Sequence, residues 1–200
     1  MTANLLSGAL RQPINIAGQL AAWIPSRQST LLSDWTLEQL NIQTYQHILE
    51  VGYGQGRILQ AAAKKLKVGF LAGIDPSPSM YQQASRRNKE HIRQQLIQLH
   101  TGPITHLPYP SHYFHTIYGC NAIHTWNDPQ LEFIRLTSLL RAGGKLVMVF
   151  QPLSAREEKA ANETAEMIQE DLDAAGLTDI RIRYRDMHPA NGIAISGIKP

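Results

Sequence analysis

His47-Ile48-Leu49-Glu50-Val51-Gly52-Tyr53-Gly54-Gln55-Gly56 is the stretch that decides how this chain is built. An apolar run of strand length, His47 to Val51, passes directly into glycines at every second position. Glycines so spaced let the backbone turn tightly and approach a ligand with no Cβ in the way. Arg57 to Leu66 then reads as a helix, with Ile58, Leu59, Ala62 and Leu66 on one face. A helix start behind such a loop offers free amides and the positive end of a dipole.

Working forward, Val68 to Ile74 reads as a second strand, closed by Asp75-Pro76. Ser77-Pro78 opens a helix, a hydroxyl cap followed by proline at the first helical position, and the helix runs to about Gln95. Leu96 to Leu99, Phe114 to Cys120 and Lys145 to Phe150 read as further strands. Asp128 caps a helix from Pro129 that is expected to end at Gly143-Gly144. Residues 155–175 read as a polar helix stopped by Gly176, and Ile180–Tyr184 and Ile193–Ile198 as two closing strands. Strand and helix in alternation specify parallel strands joined by crossover helices, a doubly wound α/β sheet. Ligands bind such sheets at the carboxyl ends of the strands, here the loops that begin at Gly52, Asp75 and Asn121.

Working backward, residues 1–45 read as short helices, with an apolar stretch from Ile14 to Ile24 and a break at Pro25-Ser26. They are expected to form a helical cap or lid ahead of a single domain at 46–200, with Gly8, Gly18 and Pro25 as hinge points.

The 200 residues suit one domain, and 43% apolar against 18% charged residues excludes a disordered or fibrous chain. No apolar run exceeds the five residues of Leu146 to Phe150, far short of the roughly 20 residues of a membrane span. The first charge is Arg11, and no charged segment precedes an apolar one at the N-terminus, so no signal peptide and a cytoplasmic location are expected. A net charge of +3 does not argue for nucleic acid. A basic stretch at 57–93 and an acidic one at 157–173 read as solvated helix faces. One cysteine, Cys120, excludes a disulfide framework.

Asp75, twenty-five positions after Glu50 at the end of the second strand, is placed to accept both hydroxyls of a ribose. Two ribose-bearing cofactors suit that arrangement. A dinucleotide loop wants its third glycine at position 57, where this chain has Arg57. The spacing Gly52, Gly54, Gly56 behind Glu50 instead resembles motif I of the class I S-adenosylmethionine-dependent methyltransferases. Gly73-Ile74-Asp75-Pro76, Leu107-Pro108-Tyr109-Pro110, Phe114-His115-Thr116-Ile117 and Leu140-Arg141-Ala142-Gly143-Gly144-Lys145 resemble later segments of that family, in order. The resemblance covers about residues 45–152. It implies a Rossmann-like seven-stranded sheet, mostly parallel with an antiparallel last strand and helices on both faces.

It also implies roles. Gly52, Tyr53, Gly54 and Gly56 would line the methionine part of S-adenosylmethionine, and Glu50 would orient its amino group, directly or through water. Asp75 would take the ribose, Pro76 and Met80 would pack on the adenine, and Asn121 would lie near the methyl-donor side. Two positions depart from the family. Its acid after the glycine that follows strand three is Pro103 here, so adenine recognition is expected to fall to backbone groups such as the Ile104 N–H. Its acid after Phe114 is His115.

Five of the eight histidines lie between positions 100 and 124. His112 with His115, or Cys120 with His124, lack an acidic partner and the spacing of a metal set, so no metal is expected. His124, three residues past Asn121, is the candidate general base, and Trp126 a candidate substrate contact. The expected activity is methyl transfer to a small-molecule acceptor by a monomer or homodimer. A nicotinamide-dependent oxidoreductase and a non-catalytic cofactor-binding or interaction protein are the alternatives.

Overall fold

The computed structural model describes residues 26–200, apart from the side chains of residues 26–29 and 124. Seven strands form one sheet: β1 (His47–Val51), β2 (Phe70–Asp75), β3 (Ile97–Thr101), β4 (Phe114–Cys120), β5 (Leu140–Phe150), β6 (Thr178–Arg185) and β7 (Gly192–Ile198). Their spatial order is β3-β2-β1-β4-β5-β7-β6. Neighbours from β3 to β5 pair in parallel, and β7 runs antiparallel between β5 and β6. The order reverses at β1, which lies between β2 and β4.

Apolar runs along the central strands divide between two cores because side chains alternate across a sheet. Leu146, Met148 and Phe150 enter one core, with Phe133, Ala165 and Ile168. Val147 and Val149 enter the other, with Trp35, Leu59 and Ala62. The first core is roofed by α5 (Pro129–Leu139) and α6 (Glu158–Ala174), the second by α1 (Ser26–Leu40), α2 (Arg57–Ala63), α3 (Pro78–Arg87) and α4 (Lys89–Arg93). The outer strand β6 carries Arg181, Arg183 and Arg185, charges that blunt an exposed sheet edge.

Several boundaries differ from the sequence expectation, each for a local reason. The helix after Gly56 stops at Ala63, because the chain turns back there: the Lys67 and Val68 amides both bond to the Thr44 carbonyl. The expected helix from Ser77 to Gln95 is two helices, broken at Asn88. Asn88 is fully buried and its side-chain amide donates to the carbonyls of Gly56 and Ala84. α5 ends at Leu139, and the chain is already extended at Leu140, which pairs with Phe114. Gly143-Gly144 is therefore an irregularity within β5, pinned by paired backbone bonds to Lys199.

Of the expected N-terminal cap, Leu32, Trp35 and Leu40 of α1 are buried in the second core. The Trp35 ring leaves no room for a Cβ at Gly192, which would stand 2.8 Å away. The expected lid residues 1–25 lie outside the described residues. Among the described residues, no helix is long and apolar enough to cross a membrane.

Candidate active site

The glycine loop follows β1 at the point where strand order reverses. Gly52, Gly54 and Gly56 all have positive φ, at 73°, 50° and 70°. Two of these positions do different work. A Cβ at Gly54 would meet nothing among the described residues within 4 Å, so this residue faces open space among them. A Cβ at Gly56 would lie 2.6 Å from Asn88 Nδ2 and 2.9 Å from Ala84 Cβ. Gly56 is thus a packing position between the loop and α3 and does not face the open side where a cofactor could sit. Arg87 Nε ties the same helix to the Gln55 carbonyl at 2.9 Å.

Asp75 ends β2 and is nearly buried. Its Oδ2 accepts from the Gly54 amide at 2.8 Å, and its Oδ1 from the Ser77 amide at 2.9 Å. A carboxylate has about four lone-pair sites, so each oxygen keeps capacity for a further donor. Asp75 therefore holds the glycine loop to the start of α3 and can still bind a diol.

Glu50 lies beneath this loop, on the α2 face of the sheet and beside Tyr118 in register. It is buried, and Tyr118 Oη donates to Oε2 at 2.8 Å. Burial pushes its pKa up to about 8, against the opposing effect of the Tyr118 hydrogen bond, and the nearby Asp75 charge adds to the rise. Tyr53 turns inward as well. Its ring stands 2.8 Å from where a Cβ on Gly73 would be, and its hydroxyl donates to the His100 carbonyl at 3.1 Å. The expectation that Tyr53 lines the site is met at most by its backbone.

A cleft of about 350 Å³ opens beside Gly52, over the carboxyl ends of the central strands. From the expected set it takes in Gly52, Pro76, Pro103 and Ile104. Met80 instead packs against the second core, so Pro76 alone of that pair lines the cleft. Asn121 closes β4 at φ 53°, a left-handed conformation that asparagine tolerates. Its Oδ1 accepts from the Gln151 amide at 3.1 Å, so the side chain joins the ends of β4 and β5. His124 sits in the one-turn helix Ile123–Thr125, and its side chain lies outside the described residues. Trp126 lines the cleft and meets Phe133 edge-on, ring centroids 5.0 Å apart.

Three lining residues had no signal in the sequence: Thr125, Asn127 and Glu132. Glu132, in the first turn of α5, reads as an ordinary acid near a helix N-terminus. His115, by contrast, lies at the opposite end of the sheet. It accepts from the His47 amide at 3.1 Å and stands 2.8 Å from an Arg141 nitrogen, and burial and that cation hold its pKa down. Among the described residues no three His, Cys, Asp or Glu side chains gather as a metal set.

A glycine loop, a strand-end carboxylate and a cleft on a doubly wound sheet suit a ribose-bearing cofactor, and comparison with known proteins specifies which. A family profile described as "Methyltransferase domain" matches residues 48–144. The protein named "Uncharacterized methyltransferase YdaC" in Bacillus subtilis (strain 168) is 31% identical over 183 residues, 90% of this chain and 98% of its own length. A SAM-dependent methyltransferase from Aquifex aeolicus shares the fold at a TM-score of 0.68 and 16% identity, over 89% of this chain and all of that one. Phosphoethanolamine N-methyltransferase 2 of Haemonchus contortus, solved with S-adenosyl-L-methionine, matches at 0.66 and 16%, over 84% of this chain and 52% of that one. The chain belongs to the class I S-adenosylmethionine-dependent methyltransferases. Its cofactor is S-adenosylmethionine, and the nicotinamide alternative gives way with that assignment.

Proposed function

We propose that this methyltransferase acts on a small-molecule acceptor, with the cofactor seated across the glycine loop and the cleft. The observation that carries this reading is the pairing of Gly54, open on its ligand side, with Asp75, bonded to the Gly54 amide yet able to accept more. The donor set suits the cofactor's chemistry, because a ribose diol and an ammonium call for carboxylate and carbonyl oxygens.

Gly52 and Gly54 give the methionine portion close approach, Asp75 accepts the ribose hydroxyls, and Pro76, Ile104 and Trp126 offer apolar faces to the adenine. The Ile104 N–H donates to the purine edge. Glu50 acts from beneath the loop, where an approaching ammonium favours its charged form. Bound S-adenosylmethionine supplies a sulfonium methyl open to in-line displacement, which chiefly needs a positioned nucleophile. His124 takes the acceptor's proton where the acceptor arrives protonated. The connections over the cleft are single turns at Ile104–His106 and Ile123–Thr125, and a cleft of this volume suits a small ligand.

Calorimetry with S-adenosylhomocysteine, followed by detection of that product over a panel of small amines, alcohols, thiols and carbon acids, tests the reading. Binding without turnover on any acceptor favours the non-catalytic alternative. Failure to bind removes the proposed site.

A further inference from the structure

The cleft has an acidic wall that the family resemblance does not assign. Glu132 Oε1 accepts from Arg135 Nη1 at 3.0 Å, whereas Glu132 Oε2 is buried with no hydrogen-bond partner among the described residues. The same side chain lines the cleft together with Pro103, Ile104 and Trp126, and it is the one carboxylate among the described lining residues. A buried carboxylate oxygen without a donor is costly, and of the buried atoms without a partner, at Ser85, Asn88, Glu132 and Thr137, Glu132 is the one whose residue lines the cleft.

The Gly102–Pro103 edge of the cleft shows what is missing. After Gly102, where the resemblance implies an acid for the adenine amino group, Pro103 offers neither a side-chain acceptor nor an N–H. α5, which carries Glu132, packs against the turn Ile104–His106 that Pro103 begins. This edge of the cleft lacks a side-chain acceptor, and an unpaired acceptor belongs to a lining residue of the helix packed on it. Resting on the placement of the cofactor proposed above, we infer that Glu132 accepts the hydrogen bond of the adenine 6-amino group, in place of the acid absent at Pro103. Arg135 occupies Oε1, which leaves Oε2 as the acceptor for the amino group. An acceptor-only group at this point selects an amino purine and repels a 6-oxo purine, whose edge is itself an acceptor.

The test compares S-adenosylhomocysteine with its 6-oxo analogue, S-inosylhomocysteine, by calorimetry on the parent protein, Glu132→Gln and Glu132→Ala. The parent is expected to prefer the amino ligand by about tenfold to a hundredfold, the range for a hydrogen bond to a charged group. Glu132→Ala should lose most of that preference through weaker binding of the amino ligand alone. Glu132→Gln, which can donate to a 6-oxo group, should bind the inosine analogue better than the parent does. A purely structural role would weaken both ligands together and leave their ratio unchanged, which overturns the inference. An unchanged ratio with a raised KM for a methyl acceptor would overturn it too, moving Glu132 to the acceptor. Absence of S-adenosylhomocysteine binding to the parent would instead strike the cofactor placement itself, a separate outcome.

Discussion

The two walls of the cleft are built on opposite plans. On the β1–β2 side the loop is tied down by hydrogen bonds within the protein, and the buried atoms left without a partner, Ser85 Oγ and Asn88 Oδ1, lie along and at the end of α3. Asp75 accepts from Gly54 and Ser77, Asn88 donates to Gly56, Arg87 donates to Gln55, and Glu50 pairs with Tyr118. On the β4–α5 side a single turn leads to Trp126, and Glu132 leaves a buried oxygen unpaired. A wall whose hydrogen bonds are closed within the protein is preorganised for a ligand that does not vary. A wall with an open acceptor depends on its ligand to complete it. The first wall should thus be a determinant of folding as well as binding, and the second of selectivity.

The strongest way to break this contrast is a pair of alanines in the glycine loop. Both Gly54→Ala and Gly56→Ala incur about 1–2 kcal/mol for a left-handed backbone. At Gly56 the new Cβ also meets Asn88 and Ala84 below 3.0 Å, adding about 1–3 kcal/mol of overpacking. Denaturant unfolding should therefore rank Gly56→Ala well below Gly54→Ala in stability. Calorimetry should find the larger binding defect, about tenfold to a hundredfold, at Gly54 among variants that stay folded. Equal stability losses would show that the two glycines are not divided between packing and binding. Asp75→Ala comes next. It should weaken S-adenosylhomocysteine binding by roughly 1.5–3 kcal/mol and also lower the melting temperature of the free protein, because two loop amides lose their acceptor. Loss of binding with an unchanged melting temperature would reduce Asp75 to a ligand contact alone.

The same contrast explains what the sequence discloses. β1, β2, β4 and the glycine loop are legible because strand-length apolar runs meet residues with a fixed backbone task. Asn88 is not legible, because an asparagine inside a helical pattern carries no mark of the carbonyl it reaches at Gly56. The early end of α5 at Leu139 is hidden for a similar reason: Gly143-Gly144 looks like a helix stop, and only pairing of Leu140 with Phe114 shows the chain already extended. Tyr53 and Met80 are misplaced because a motif fixes the path of the backbone and leaves side-chain direction to packing. Glu132 lies outside any motif, and its place in the cleft depends on how α5 docks over the Ile104 turn.

Glu50 sharpens the comparison through pH. Its pKa is raised by burial to about 8 in the folded protein, against 4.5 ordinarily. Between those values the folded chain keeps a proton that the unfolded chain has lost. Stability from this group is fully present below about pH 4.5 and drains away as pH rises through 8. Urea unfolding of the free protein at pH 5.5 and 8.5 should show a loss on the order of 1–3 kcal/mol that Glu50→Gln removes. A parent and variant with parallel pH profiles would mean that Glu50 is ionised beneath the loop, and that the closed wall is closed by charge.

The smallest effect is expected at Tyr53, and it separates loop backbone from loop side chain. The Tyr53 ring is buried under the loop against Gly73, and its hydroxyl donates to the His100 carbonyl. Tyr53→Phe keeps the ring and removes that one bond, so stability should fall by about 0.5–1.5 kcal/mol. Cofactor affinity should stay within about twofold, because the loop path is set by Gly52, Gly54 and Asp75 and the phenol points away from the ligand side. The variant also leaves the His100 carbonyl short of a donor, which accounts for the upper part of that range. Thermal unfolding and calorimetry on the same sample decide the matter. An affinity loss of tenfold or more with unchanged stability would put the phenol in contact with the cofactor. The phenol would then join Asp75 as a polar group of the first wall that the ligand completes.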